Sequence, residues 1–527
     1  MFRPKSNVGF PPSRRDFLGK LLAAPLATAA DTKFFKPLRF LGREDNLQSR
    51  LAADPLRPQF HLLPAKNWMN DPNGPIFWNG MYHMFFQYNP NAAVWGDMHW
   101  AHAVSPDMIH WKHLPIALAP TPGWDDADGC FTGSAVDDHG TATFLYTGVK
   151  KSTPEMATLR DGHSNLREVQ CLATSSDSEL RTWSKWKTPV IEPPGDPLLT
   201  GFRDPFLWRD GDRWYLGVGS GIRKQGGRVL LYRSKDLRQW EYLHPLAAGK
   251  WTERENINPV DSGEMWECPD FFPLGSKHVL LYSSAGKVAW ETGELDRKEL
   301  LFHPQRNGVL DHGAYYAQKT QLDRKGNRIL WGWIPEKRPD SELIAAGWAG
   351  CMALPRLLSL NKQDDLEMRF LPEVASLAGK EFAIPPPQLR PPAEPLARAF
   401  QSIQFENLAG RINCSILPGN FEFALMDDSG LWLSMELRPN YDSSATMSAN
   451  GITAAIAVQR DELLQLDVLF DASVAELICN HQHAFTARIY RQPKGPLRIA
   501  VSQALFPQIQ GLHAWQMRPI SANRLTI

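Results

Sequence analysis

The chain has almost no electrostatic character of its own. Over 527 residues, 57 Lys and Arg offset 57 Asp and Glu, and no long basic run breaks the balance. Without a positive field, charge cannot hold nucleic acid or an anionic membrane surface, so no nucleic-acid partner is expected. Long hydrophobic runs are missing too. The apolar stretch near the N-terminus holds about fourteen residues and includes Lys20, against the ~20 needed to cross a bilayer, so no permanent membrane anchor is expected. Cysteine is sparse: Cys130, Cys171, Cys268, Cys351, Cys414 and Cys479 are scattered without C-x-x-C spacing. That spacing points away from a structural zinc site and from a disulfide-held scaffold, and no metal or other cofactor is expected. Helical 3.6-residue periodicity is also scarce, while short β-like runs between turn residues recur throughout.

What the chain has in excess is tryptophan, 19 in all. Most will pack in the core, but a flat apolar face with a polar edge also suits a sugar ring. The length allows two domains or more. Residues 1–30 stand apart from the fold. Ser13-Arg14-Arg15-Asp16-Phe17-Leu18 precedes the apolar stretch, which ends in small residues at Ala27-Thr28-Ala29. A basic start, a short apolar run and a small-residue cleavage pattern make an export signal. Paired arginines before Phe-Leu resemble the twin-arginine type, an address read by a receptor. Cleavage is expected near Ala29-Ala30, leaving the mature chain in the periplasm or outside a bacterial cell.

A unit of polar head, short strand, turn and second strand repeats along the chain. It begins at Trp68-Met69-Asn70-Asp71-Pro72-Asn73-Gly74 and turns at Asn79-Gly80, a strong hairpin signal. Further heads stand at Gly133-Ser134, Arg203-Asp204-Pro205, Glu267-Cys268-Pro269 and Asp311-His312-Gly313. The spacing of roughly 45–70 residues is that of a four-stranded propeller blade. A second marker agrees: Ser105 to Trp111 and Ser234 to Trp240 share a Ser-x-Asp-x-x-x-Trp frame, with a looser copy from Ser175 to Trp183. The expectation is an all-β chain: a five-bladed β-propeller over 55–365, a Pro-rich linker over 366–395 and a C-terminal β-sandwich over 396–527.

In a propeller the first strand of each blade lines the central channel, so Asp71, Asp204 and Glu267 are expected to share one pocket. Converging carboxylates without a metal-ligand cluster suit glycosidic bond cleavage, which needs one carboxylate as nucleophile and one carboxylic acid for the leaving oxygen. Arg203 is expected to hold Asp204 ionised, and Trp266, Cys268 and Pro269 to give Glu267 an apolar setting that favours its protonated form.

Several blocks then resemble a known family. Trp68 to Gly74, Phe86-Gln87-Tyr88-Asn89-Pro90, Trp95-Gly96-Asp97, Phe202-Arg203-Asp204-Pro205, Trp266-Glu267-Cys268-Pro269-Asp270 and Phe470-Asp471-Ala472 resemble glycoside hydrolase family 32. This is the family of invertases, levanases, inulinases and fructan exohydrolases. The resemblance implies a retaining enzyme that releases fructose from sucrose or β-fructans through a covalent fructosyl-enzyme. It assigns Asp71 as nucleophile, Glu267 as general acid/base and Asp204 as transition-state stabiliser. Asn70, Gln87, Trp95, Phe131, Thr132, Arg203 and Trp333 would bind substrate, with Thr132 standing where the family usually has Ser. Two rivals stay open: an arabinan- or xylan-cleaving enzyme of a related five-bladed family, and a non-catalytic fructan-binding protein. The Trp68 to Gly74 block argues against the first, and the intact acids against the second.

Overall fold

The computed structural model describes residues 41–526, apart from 163, 390–392, 441–443 and 459–461. The proposed export signal therefore lies outside the described residues. Five sheets form the five blades. Blade I runs Asn67–Trp78, Met81–Asn89, His99–Ser105 and Lys112–Leu118; blade II is built on Gly129–Asp138, Thr141–Lys151 and Asn165–Ser175. Blade III comprises Leu199–Asp210, Arg213–Ile222, Gly226–Ser234 and Trp240–Ala248, and blade IV Glu267–Leu274, Lys277–Ser284, Lys287–Asp296 and Leu301–Val309. Blade V is Tyr316–Leu322, Arg328–Ile334, Arg356–Leu360 and Leu366–Phe370. Neighbouring strands within a blade pair antiparallel, and Asn79-Gly80 makes the first hairpin with both residues at positive φ. Two further six-stranded sheets pack face to face as the C-terminal sandwich.

The tryptophan frame has a structural explanation. In blades I to III it forms the turn between the third strand and the outer edge. Asp107, Asp177 and Asp236 each accept backbone N–H bonds from the residues that follow. The Trp111, Trp183 and Trp240 indoles donate to Met108, Leu180 and Leu237 carbonyls at 3.1, 2.8 and 2.9 Å. Those three carbonyls belong to residues with φ of 65, 56 and 60°. A left-handed non-glycine residue is costly, and the indole N–H helps to hold each one.

The ring closes through a short parallel contact, Trp348–Ala349 beside Asn67 and Trp68 of blade I. Gly350 (φ 78°) makes this possible, because a Cβ there would lie 2.0 Å from the Met69 carbonyl oxygen. Two expectations need correction. The stretch 366–395 is not a linker: Leu366–Phe370 completes blade V, and Ala378–Ile384 is already an edge strand of the sandwich. Its prolines cluster after these strands, so composition marked only the end of the segment. Asp311 is not the head of the fifth inner strand, which starts at Tyr316; it lies at the seam with the sandwich, bonded to Arg356 and Thr486. A helix, Leu41–Ala53, precedes the propeller and went unforeseen. Among the described residues no helix is long and apolar enough to cross a membrane.

Candidate active site

At the channel mouth the inner strands lose their regular register. Between Met69 and Pro72, Arg203 and Phe206, Glu267 and Asp270, and Tyr316 and Lys319, two residues face one on the partner strand. These are β-bulges, which re-aim side chains and let adjacent residues share a pocket. The first bulged residue in blades III, IV and V is left-handed: Asp204 (φ 64°), Cys268 (48°) and Ala317 (55°). Such strain in a non-glycine residue persists only where the surroundings impose it. The register also corrects the expectation of three equivalent acids. Glu267 occupies the position of Arg203, and it is Cys268 that stands where blade III has Asp204.

Asp71 is fully buried and ends a directed hydrogen-bond chain. The Trp68 indole donates to Asn70 Oδ1 at 2.7 Å, and Asn70 Nδ2 donates to Gln87 Oε1 at 3.2 Å. Gln87 Nε2 donates to Thr132 Oγ1 at 2.8 Å, and Thr132 donates to Asp71 Oδ2 at 2.5 Å. Asn70 Nδ2 also reaches Asp71 Oδ1 at 3.0 Å. Every donor in the chain points toward the carboxylate, so the network is satisfied when Asp71 accepts, that is, when it is ionised. The Thr132 hydroxyl does this work with its extra methyl in place.

Asp204, also buried, takes the Cys268 backbone N–H at 2.8 Å, while its own N–H donates to Thr147 Oγ1 at 2.9 Å. The Cys268 thiol lies 3.4 Å from both Asp71 Oδ2 and Asp204 Oδ2 and bridges the two acids. Glu267 sits across from them. Its Oε1 receives Arg203 Nε and Nη2 at 3.1 and 2.8 Å, and its Oε2 receives the Tyr316 hydroxyl at 2.7 Å. Arg203 Nη1 is anchored on Glu168 Oε1 at 2.8 Å. Burial works against the guanidinium charge, but Glu168, Glu267 and Asp204 outweigh it and push the Arg203 pKa up.

The electrostatic expectation was therefore half inverted. Arg203 reaches Asp204 only at 3.9 Å and grips Glu267 instead. The setting of Glu267 is polar, because Arg203 and Tyr316 bond its two oxygens while the Cys268 thiol faces the other two acids. Aromatic side chains wall the pocket: Trp95 meets Phe131 edge-on at 6.0 Å, and buried Trp333 meets Trp68 at 5.9 Å. Trp95, Phe131, Trp333, Cys268 and Tyr316 belong to one apolar cluster. All ten expected site residues thus lie at this end of the channel or in its wall. Sequence reasoning missed Glu168, Tyr316 and the orienting role of Cys268. The prolines of Asp71-Pro72, Asp204-Pro205 and Cys268-Pro269 held the signal for Cys268, and Tyr316 stood inside a recognised head. Glu168, in the third strand of blade II, carried no mark.

Comparison with known proteins fits this geometry. Residues 61–369 match the glycosyl hydrolases family 32 N-terminal domain. The chain belongs to this family. Family 32 relatives agree along nearly the whole length. A sucrose-6-phosphate hydrolase of Escherichia coli is 34% identical over 478 residues, covering 83% of this chain and 90% of its own. A family 32 β-fructofuranosidase of Bombyx mori superposes with a TM-score of 0.72 at 29% identity, over 90% of this chain and 97% of that one. Fructan 1-exohydrolase IIa of Cichorium intybus gives 0.72 at 25% identity, over 88% and 98%. The family 32 chain is a glycosidase with a propeller and a sandwich.

Proposed function

We propose that the chain is an exported β-fructofuranosidase that releases fructose from sucrose or the ends of β-fructans with retention of configuration. The observation that carries this reading is the hydrogen-bond chain that ends on Asp71 and holds it as an acceptor. Asp71 attacks the anomeric carbon of the fructosyl unit while Glu267 protonates the departing oxygen, which gives a covalent fructosyl-enzyme. Glu267 then takes a proton from water as the water attacks the same carbon. Arg203 and Tyr316 hold one oxygen of Glu267 each, so the carboxyl keeps its place in both protonation states; the Tyr316 hydroxyl can donate or accept. Asp204 grips fructosyl hydroxyls. Relatives named sucrose-6-phosphate hydrolase, raffinose invertase and fructan 1-exohydrolase support the substrate class, and sucrose occupies a mutant of the Bombyx mori enzyme.

The test is time-resolved NMR of the product formed from sucrose, inulin and levan. β-Fructofuranose appearing first supports double displacement, and α-fructofuranose appearing first rules out the covalent intermediate. Export is checked by replacing Arg14 and Arg15 with Lys, which should hold the protein in the cytoplasm; unchanged secretion would remove the twin-arginine reading.

A further inference from the structure

Lys319 lies in blade V three residues beyond Tyr316 and is 1% exposed. Its ammonium reaches the channel axis and meets three other blades: Ser134 Oγ at 3.4 Å, the Pro205 carbonyl at 3.4 Å and the Pro269 carbonyl at 3.3 Å. All three contacts are long and all three acceptors are neutral. Among the described residues no carboxylate oxygen comes within 4.0 Å of its Nζ. A buried cation without a close counter-ion is expensive, and proteins retain one only where something offsets it.

The contact points show what does. Pro205 follows Asp204 directly, Pro269 is two residues past Glu267, and Ser134 is two past Thr132, the hydroxyl that bonds Asp71. One or two residues of extended chain, about 3–7 Å, separate these points from the site. On the other side lies a cavity of about 480 Å³ at the opposite end of the channel, which Lys319 also lines. Asp270, which borders this cavity, already accepts the Thr320 N–H and hydroxyl at 2.6 and 2.7 Å. Asp137 on blade II and Asp323, with Arg209 and Arg328, border the same cavity and carry mixed charge. Above Lys319 the elements present Asp71 on blade I, Glu168 on blade II, Arg203 and Asp204 on blade III, Glu267 and Cys268 on blade IV and Tyr316 on blade V. Four acids against one arginine leave that side strongly negative.

We propose that Lys319 is a positioning residue for the fructosyl-transfer chemistry: a buried ammonium on the channel axis that balances the acid cluster and holds Asp71 in its ionised, nucleophilic form. The inference rests on the function proposed above. Its test is the pH profile of kcat/KM for fructose release by the full-length protein and by Lys319→Met, Lys319→Gln and Lys319→Arg. A nearby cation ordinarily lowers a carboxyl pKa by ~1–3 units. The acid limb should therefore move up by about one pH unit in the Met variant, with about a tenfold loss of rate below the limb. Arg should keep the limb in place even if turnover falls. The Gln variant retains a donor for the carbonyls and gives the same readout if the Met variant does not fold. An unmoved limb in folded Met or Gln protein, with activity lowered equally at every pH, overturns the proposal and leaves Lys319 a packing residue. Absence of fructose release by the unmodified protein would instead overturn the function itself.

Discussion

The seam between propeller and sandwich and the mouth of the propeller channel both bury charge almost completely, yet they balance it differently. At the seam, His61, Arg356, Arg338 and Arg488 face Asp471, Glu476, Asp311 and Glu336, four cations against four anions. His61 illustrates the arrangement. Burial opposes its charge, but bonds to Asp471 at 2.8 Å and Glu476 at 3.1 Å outweigh it and raise the imidazole to about 9. In the channel, Glu168, Asp204 and Glu267 lie against one cation, Arg203, and the Cys268 thiol joins Asp71 to Asp204. The seam is electrically closed and serves stability. The channel keeps a surplus of negative charge, which is what an oxocarbenium-like transition state requires.

Substitutions can separate the two plans. The largest effect is expected for Asp71→Ala, which should abolish fructose release while leaving thermal unfolding within a degree or two of the parent. A large fall in unfolding temperature would mean that Asp71 also holds the fold. Glu267→Ala should be less severe on fructosyl donors whose leaving group needs no proton than on sucrose; equal loss on both would remove its acid role. At the seam the pattern should reverse. Glu476→Gln leaves Arg356 and His61 short of a partner, and should cost about 3–5 kcal/mol in denaturant unfolding with kcat changed little. A loss confined to activity would show that the seam communicates with the pocket.

The smallest effect is the pH dependence carried by His61. Its folded-state pKa of about 9 lies above the unfolded value of 6.5. The stabilisation is thus complete below about pH 6.5 and is lost as pH rises through 9, about 3 kcal/mol in all. Replacing His61 with Gln should flatten this alkaline decline in unfolding experiments; an unchanged slope would assign it to other groups.

The contrast also explains what could be read from the sequence. The channel residues sit at repeated strand heads, so Asp71, Asp204, Arg203 and Glu267 announced themselves through the spacing of the blades. The seam did not, because Asp311, Arg356 and Glu476 meet only after two domains have packed, and no local period links them. Asp311 was placed at a blade head for this reason. Within the site the same limit applies more finely. Glu267 stands one position before the register place of Asp204, and only the spacing to the following proline, Asp204-Pro205 against Cys268-Pro269, records that offset. Glu168 and Lys319 act through contacts between blades, which no spacing within a blade records.

The parallel contact of Trp348–Ala349 with Asn67 and Trp68 has a consequence for biosynthesis. Trp68 begins the hydrogen-bond chain to Asp71, so the strand that carries Asp71 is locked only when residues 348–350 arrive, nearly three hundred residues later. A ribosome-bound chain that has already made Asp71, Asp204 and Glu267 still lacks the closing contact of the ring. Activity should therefore appear late and abruptly during synthesis, as a property of the closed ring rather than of the strands that hold its acids.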